Sequence, residues 1–139
     1  MGVYRGVTQD NATINKGTLY DVTLVNPTVT GSITGAVRLP VAAVAATGST
    51  QGDAAALSEG LNVVSAADGT KGVVLPTAVA GMTVIVKNTA AAALKIYPAT
   101  GGAVNAGAAN AAYSITNLTS TLLVASSATQ WYSVPLVAS

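Results

Sequence analysis

Met82-Thr83-Val84-Ile85-Val86-Lys87-Asn88 is the stretch whose reading decides the fold class. Met82, Val84 and Val86 fall on one side of an extended chain, and Thr83, Ile85 and Lys87 on the other. That period of two belongs to a strand in a sheet. Valine, isoleucine and threonine are stiff at χ1 and fit a pleated surface better than a helical turn. Outward from this stretch, runs of similar character recur at intervals of roughly ten residues, the spacing of a sandwich or barrel. They are Leu61–Ala66, Gly72–Leu75, Ala93–Tyr97, Ala103–Asn105, Ala112–Thr116, Thr121–Ser126 and Gln130–Val134. Asp68-Gly69 and Gly101-Gly102 have the composition of two-residue hairpin turns. The expectation is an all-β chain with a small antiparallel β-sandwich or barrel-like domain over 53–139.

Upstream, residues 41–52 are rich in Ala, Gly, Ser and Thr and read as a linker. Asp53 is placed to cap a short helical turn over Ala54–Glu59. Residues 1–40 differ again: Thr13-Ile14, Thr18-Leu19, Thr23-Leu24 and Thr28-Val29 put a threonine before an aliphatic residue with a period of five. This period matches neither a helix nor a simple strand and suggests short extended segments turned at Asn15-Lys16-Gly17, Asn26-Pro27 and Gly31. Four such repeats cannot cover their own apolar edges. Two packings follow: an N-terminal hairpin on the main domain, or a β stalk in which three chains turn Ile14, Leu19, Leu24 and Val29 towards a common axis.

Composition narrows the function. Half of the 139 residues are hydrophobic, but aromatics are only 4% and Phe is absent, so much of the apolar content is alanine. Small side chains bury little area each, and self-association offsets the deficit. With few charges to protect sheet edges, a homotrimer is the expected state. Charged residues make up 8% of the chain, with a net charge of +1 and no basic run, so a phosphate backbone has no Lys/Arg patch to bind. Arg38 and Pro40 interrupt the best apolar stretch, and Met1-Gly2-Val3-Tyr4-Arg5 has no secretion-signal core. The reading is therefore a cytoplasmically made protein with neither a nucleic-acid nor a membrane partner.

Without His or Cys, the chain lacks imidazole bases, thiol nucleophiles and the commonest metal ligands. Its five acidic residues are scattered, and only Asp53 and Glu59 lie close together. A cap and a solvated carboxylate account for that pair better than glycoside hydrolysis. No motif places a Ser–Lys dyad. Asp68-Gly69-Thr70-Lys71-Gly72 resembles a phosphate loop only superficially, because the spacing and the following helix are missing. The expectation is a non-enzyme with no cofactor, metal or catalytic residue. Trp131-Tyr132 with Tyr97 and Tyr113 would suit sugar stacking if exposed together, but in an aromatic-poor chain Trp131 reads first as the core anchor.

Gly72-Val-Val-Leu-Pro76, Gly81-Met-Thr-Val-Ile-Val-Lys-Asn88, Leu94-Lys-Ile-Tyr-Pro98 and Ala128-Thr-Gln-Trp-Tyr132 together resemble a module of tailed-bacteriophage head-fibre and capsid decoration proteins. The resemblance runs from about Asp53 to Val134. It implies a structural virion protein on the capsid surface, assembled in the host cytoplasm as a trimer, with the major capsid protein as partner. On this reading 1–40 is the stalk and capsid anchor, Tyr4 and Arg5 are candidate anchor contacts, and the domain from 53 projects outward. The alternative is a tail-fibre or receptor- and carbohydrate-binding appendage module.

Overall fold

The computed structural model describes residues 37–136 in full, together with the backbone of Val3–Arg5 and Thr18–Tyr20. The chain divides into two units, 1–36 and 37–139. In the first, β1 (Val3–Arg5) pairs in parallel with β2 (Thr18–Tyr20), Val3 lying beside Thr18 and Tyr4 beside Leu19. A hairpin would make this pair antiparallel. The 15-residue offset equals three of the five-residue periods.

In the second unit all described regular structure is β. The chain alternates between two sheets: β3 (Val41–Ala45), β5 (Gly60–Ser65) and β7 (Thr83–Asn88) enter one, while β4 (Ala55–Ala56), β6 (Gly72–Val74) and β8 (Leu94–Tyr97) enter the other. Within each series the pairing is parallel, with Val41 on Leu61 on Ile85 in the first and Ala55 on Val73 on Ile96 in the second. Three coils therefore stack in a solenoid-like arrangement, each strand lying on the equivalent strand of the coil before. The last part of the chain closes the stack. After β9 (Ala103–Val104), β10 (Tyr113–Ile115) pairs antiparallel with β8, and β11 (Ser120–Ala125) antiparallel with β7. β12 (Gln130–Leu136) returns along β11 and meets β9 at its start. The sheet orders are β3-β5-β7-β11-β12-β9 and β10-β8-β6-β4.

This stack replaces the antiparallel sandwich or barrel expected from the strand spacing. Asp68-Gly69 and Gly101-Gly102 do not close hairpins, because the strands on either side of each belong to different sheets. Residues 41–52 are not simply a linker, since β3 opens that stretch as an integral strand. Ala54–Glu59 contains β4 and no helical turn.

The corners explain the connectivity. Asp68 accepts bonds from the Thr70 and Lys71 amides (both 2.9 Å) and from the Thr70 hydroxyl (2.7 Å), which turns the chain from one sheet into the other. Gly60 sits at φ 89, and a Cβ there would collide with the carbonyl oxygen of Pro40 in the preceding coil. Buried Asn62 and Asn88 bind the corner backbone. Asn88 donates to Ala92 O (2.8 Å) and Thr116 O (3.1 Å) and accepts from the Ala90 amide (3.0 Å). Such pairing is required where coil backbone is taken out of water.

The core lies between the sheets. Val64, Val84, Val86 and Leu123 reach it from one side and Val73, Leu94 and Ile96 from the other, with Trp131 the largest fully buried side chain. Residues of the opposite parity form the outer faces. On the six-stranded sheet the register aligns Val41, Leu61, Ile85, Leu122 and Val134 in one row across β3, β5, β7, β11 and β12. A second row runs Ala43, Val63, Lys87, Ser120 and Leu136, and Thr83, Val124 and Tyr132 form a third. On the four-stranded sheet, Gly72, Lys95 and Ser114 lie in register.

Candidate functional site

Two surface grooves, each of about 350 Å³, are the concave candidates. The first lies where the 51–52 corner meets the loops after β6, β8 and β11, and carries Gln51, Thr77, Thr100 and Thr129 with Trp131 among its lining residues. The Gln51 side-chain amide donates to Pro98 O (2.7 Å) and Asn110 Oδ1 (3.2 Å), which ties the corner of the first coil to the end of the third. The second groove runs along β10 and the ends of β11 and β12, and includes Tyr113, Ser114, Thr116, Thr119 and Pro135. Neither groove is lined by a charged side chain. Hydroxyls and amides can hydrogen-bond a neutral ligand and small apolar groups can pack against it, but they offer no pair for moving a proton.

Two of the described carboxylates, Asp53 and Asp68, are occupied by turn formation. Asp53 accepts from the Thr50 hydroxyl (2.6 Å) and amide (2.7 Å), and these bonds hold its pKa below the usual value. It therefore holds a 50–53 turn and caps no helix. The Lys71 amide and the Thr70 donors favour the ionised form of Asp68 and hold its pKa well below the usual carboxylate range, with Lys71 Nζ 3.4 Å away. Glu59 is exposed, and no hydrogen bond joins it to Asp53. Among the described residues, no three His, Cys, Asp or Glu side chains cluster.

The aromatic residues are separated in environment. Trp131 is 1% exposed and Tyr97 is buried, whereas Tyr132 is 53% exposed on the outer face of β12. Because Trp131 and Tyr132 are consecutive on a strand, they point to opposite faces and cannot form one stacking platform. Tyr97 closes the four-stranded side: its hydroxyl donates to Ser49 O (2.7 Å), and its ring is so close to Gly72 that a Cβ there would stand 2.7 Å from Cε2.

In the first unit, Tyr4 and Arg5 fall in β1 and Leu19 in β2. Ile14, Leu24 and Val29, the other candidate axis residues, lie outside the described residues. Sequence reasoning missed Gln51, Thr77, Thr100 and Thr129, which converge from four separate loops and share no motif. It also missed the aligned outer row. Its signal was present in runs such as Leu122-Leu123-Val124, which are apolar at both parities and so read as strands with two faces to cover. No family model, curated protein or solved structure matches the chain.

Proposed function

We propose that this is a non-enzymatic structural protein of a tailed-bacteriophage virion, decorating the capsid surface as a homotrimer. The observation that supports it best is the use of polar groups in the coiled stack. Asp53, Asp68, Asn62 and Asn88 are spent on turning and bonding the chain itself, and no titratable pair converges on either groove. The sequence resemblance supplies the virion context. In this reading the major capsid protein is the partner, and residues 1–40 attach and start the trimer through Tyr4, Arg5 and the aliphatic positions of the five-residue repeat. The unit built from β3 onward projects outward.

A tail-fibre or carbohydrate-binding appendage is the second reading, favoured by one feature, the neutral groove with Thr77, Thr100 and Thr129. Antibody raised against the chain, applied to intact particles of the phage that encodes it, separates the two in the electron microscope. Label distributed over heads is the expected result. Label on tails selects the second reading, and unlabelled particles would overturn both.

A further inference from the structure

We infer that the outer face of the six-stranded sheet is a self-association surface, covered by the same face of other copies of this chain. The inference deepens the homotrimer part of the proposed function and is independent of the capsid assignment.

An unbroken aliphatic row, Val41, Leu61, Ile85, Leu122 and Val134, crosses five adjacent strands of that face. Its ends are well exposed, Val41 at 69% and Val134 at 49%. The one charged residue in the aligned rows, Lys87, stands outside the central row and donates to Leu118 O at 2.6 Å, so the centre of the face is neutral. Five strands about 4.8 Å apart, with three outward positions each about 6.8 Å apart, make a face on the order of 500 Å². Lys87, Ser120 and Thr83 interrupt it, so its apolar part lies within the range of the largest apolar patch of an ordinary monomer, a patch that is often functional. Two such faces brought together withdraw about 1,000 Å², the area at which a specific interface begins.

Three features point to the same chain as occupant. A row of branched side chains at strand spacing is matched in period by an identical row, and sheets stack face to face at about 10 Å with such rows interleaved. A face whose one charge in the aligned rows, Lys87, is bound to Leu118 O carries little charge pattern with which to select a different protein. Strand addition at the β12 edge is also hindered, because Pro135 lies in that strand and has no amide to donate, which leaves the face rather than this edge for assembly.

The test uses the full chain. Native mass spectrometry of the unaltered protein at micromolar concentration is expected to show a dimer or trimer, the trimer also agreeing with the proposed function. Ile85→Lys with Leu122→Lys, neighbours in the central row, should weaken the assembly at least a hundredfold while the far-ultraviolet circular dichroism stays β. An assembly that survives both lysines, or an unaltered chain that is monomeric, would overturn the inference. Should the lysine variant fail to fold, Ile85→Cys gives a second reading, because the chain has no native cysteine. A short bismaleimide should join chains at position 85 and leave Ser114→Cys, on the other sheet, unjoined. Equal joining at both positions would count against the face. Particle labelling fails or succeeds separately, so loss of the virion reading leaves this result interpretable.

Discussion

The two sheets share one core but finish their outer faces in different ways. On the four-stranded sheet, Gly72, Lys95 and Ser114 follow one another across three strands, Tyr97 lies against that glycine, and the Tyr97 hydroxyl and Gln51 fasten the 49–51 segment to the third coil. On the six-stranded sheet, a row of five aliphatic side chains runs across the strands, and Tyr132, Val134 and Leu136 stand exposed along β12. The same strand-forming residues thus serve two ends. Where polar tips and a loop finish a face, the surface is complete within one chain. Where both parities of a strand are apolar, the burial is completed by another molecule or remains unrealised.

The largest expected effect separates the two sides of β12. Trp131→Ala removes the largest core side chain and should cost about 3–5 kcal/mol, seen as loss of the cooperative unfolding transition or a greatly lowered denaturant midpoint. Tyr132→Ala, one residue further on but on the exposed face, should change monomer stability by no more than about 0.5 kcal/mol. Comparable losses at both positions would break the distinction between inner and outer faces.

On the closed face, Gly72→Ala drives a Cβ against the Tyr97 ring and should cost about 1–3 kcal/mol through overpacking. Tyr97→Phe keeps the ring and removes the bond to Ser49 O, and a loss of about 0.5–1.5 kcal/mol is expected in equilibrium unfolding. Combining the two should cost less than their sum, since a ring displaced by the new Cβ would already weaken the hydroxyl bond to Ser49 O. Strict additivity would show that Tyr97 does not close this face through Gly72.

The smallest effect is electrostatic and sits at the corner between the sheets. Asp68 has a lowered folded pKa, so its contribution to stability is complete above the unfolded carboxylate value of about 4 and is lost as pH falls below it. Melting temperature should therefore decline between about pH 4 and pH 2. Asp68→Asn should reduce that decline and leave the profile at neutral pH flat. An unchanged acid profile would mean that the corner bonds do not favour the ionised form.

How much of this was legible in the sequence follows from what a strand pattern contains. The alternation of Met82 to Lys87 and the runs from Leu61 to Val134 placed the strands from β5 to β12 within a residue or two at most ends, because period-two burial and β-branched content are local properties. β3 and β4 escaped because Val41–Ala45 and Ala55–Ala56 are dominated by alanine, which carries little strand signal. The candidate groove was not legible, since Gln51, Thr77, Thr100 and Thr129 come from loops far apart in the chain.

By itself the sequence determined that the chain is β, where most of its strands lie, and that a tryptophan in an aromatic-poor chain is the natural core anchor. Only the tertiary structure decided which strands pair. Parallel and antiparallel neighbours need the same alternation, and Asp-Gly turns a corner between sheets as readily as it closes a hairpin. The choice rests on contacts between residues far apart in the chain, such as Gly60 under Pro40 O and Asn88 against Thr116 O. The same pairing aligned Val41, Leu61, Ile85, Leu122 and Val134 in one row. A surface feature of that kind exists only once register is set, because a shift of one residue would turn each of those side chains into the core.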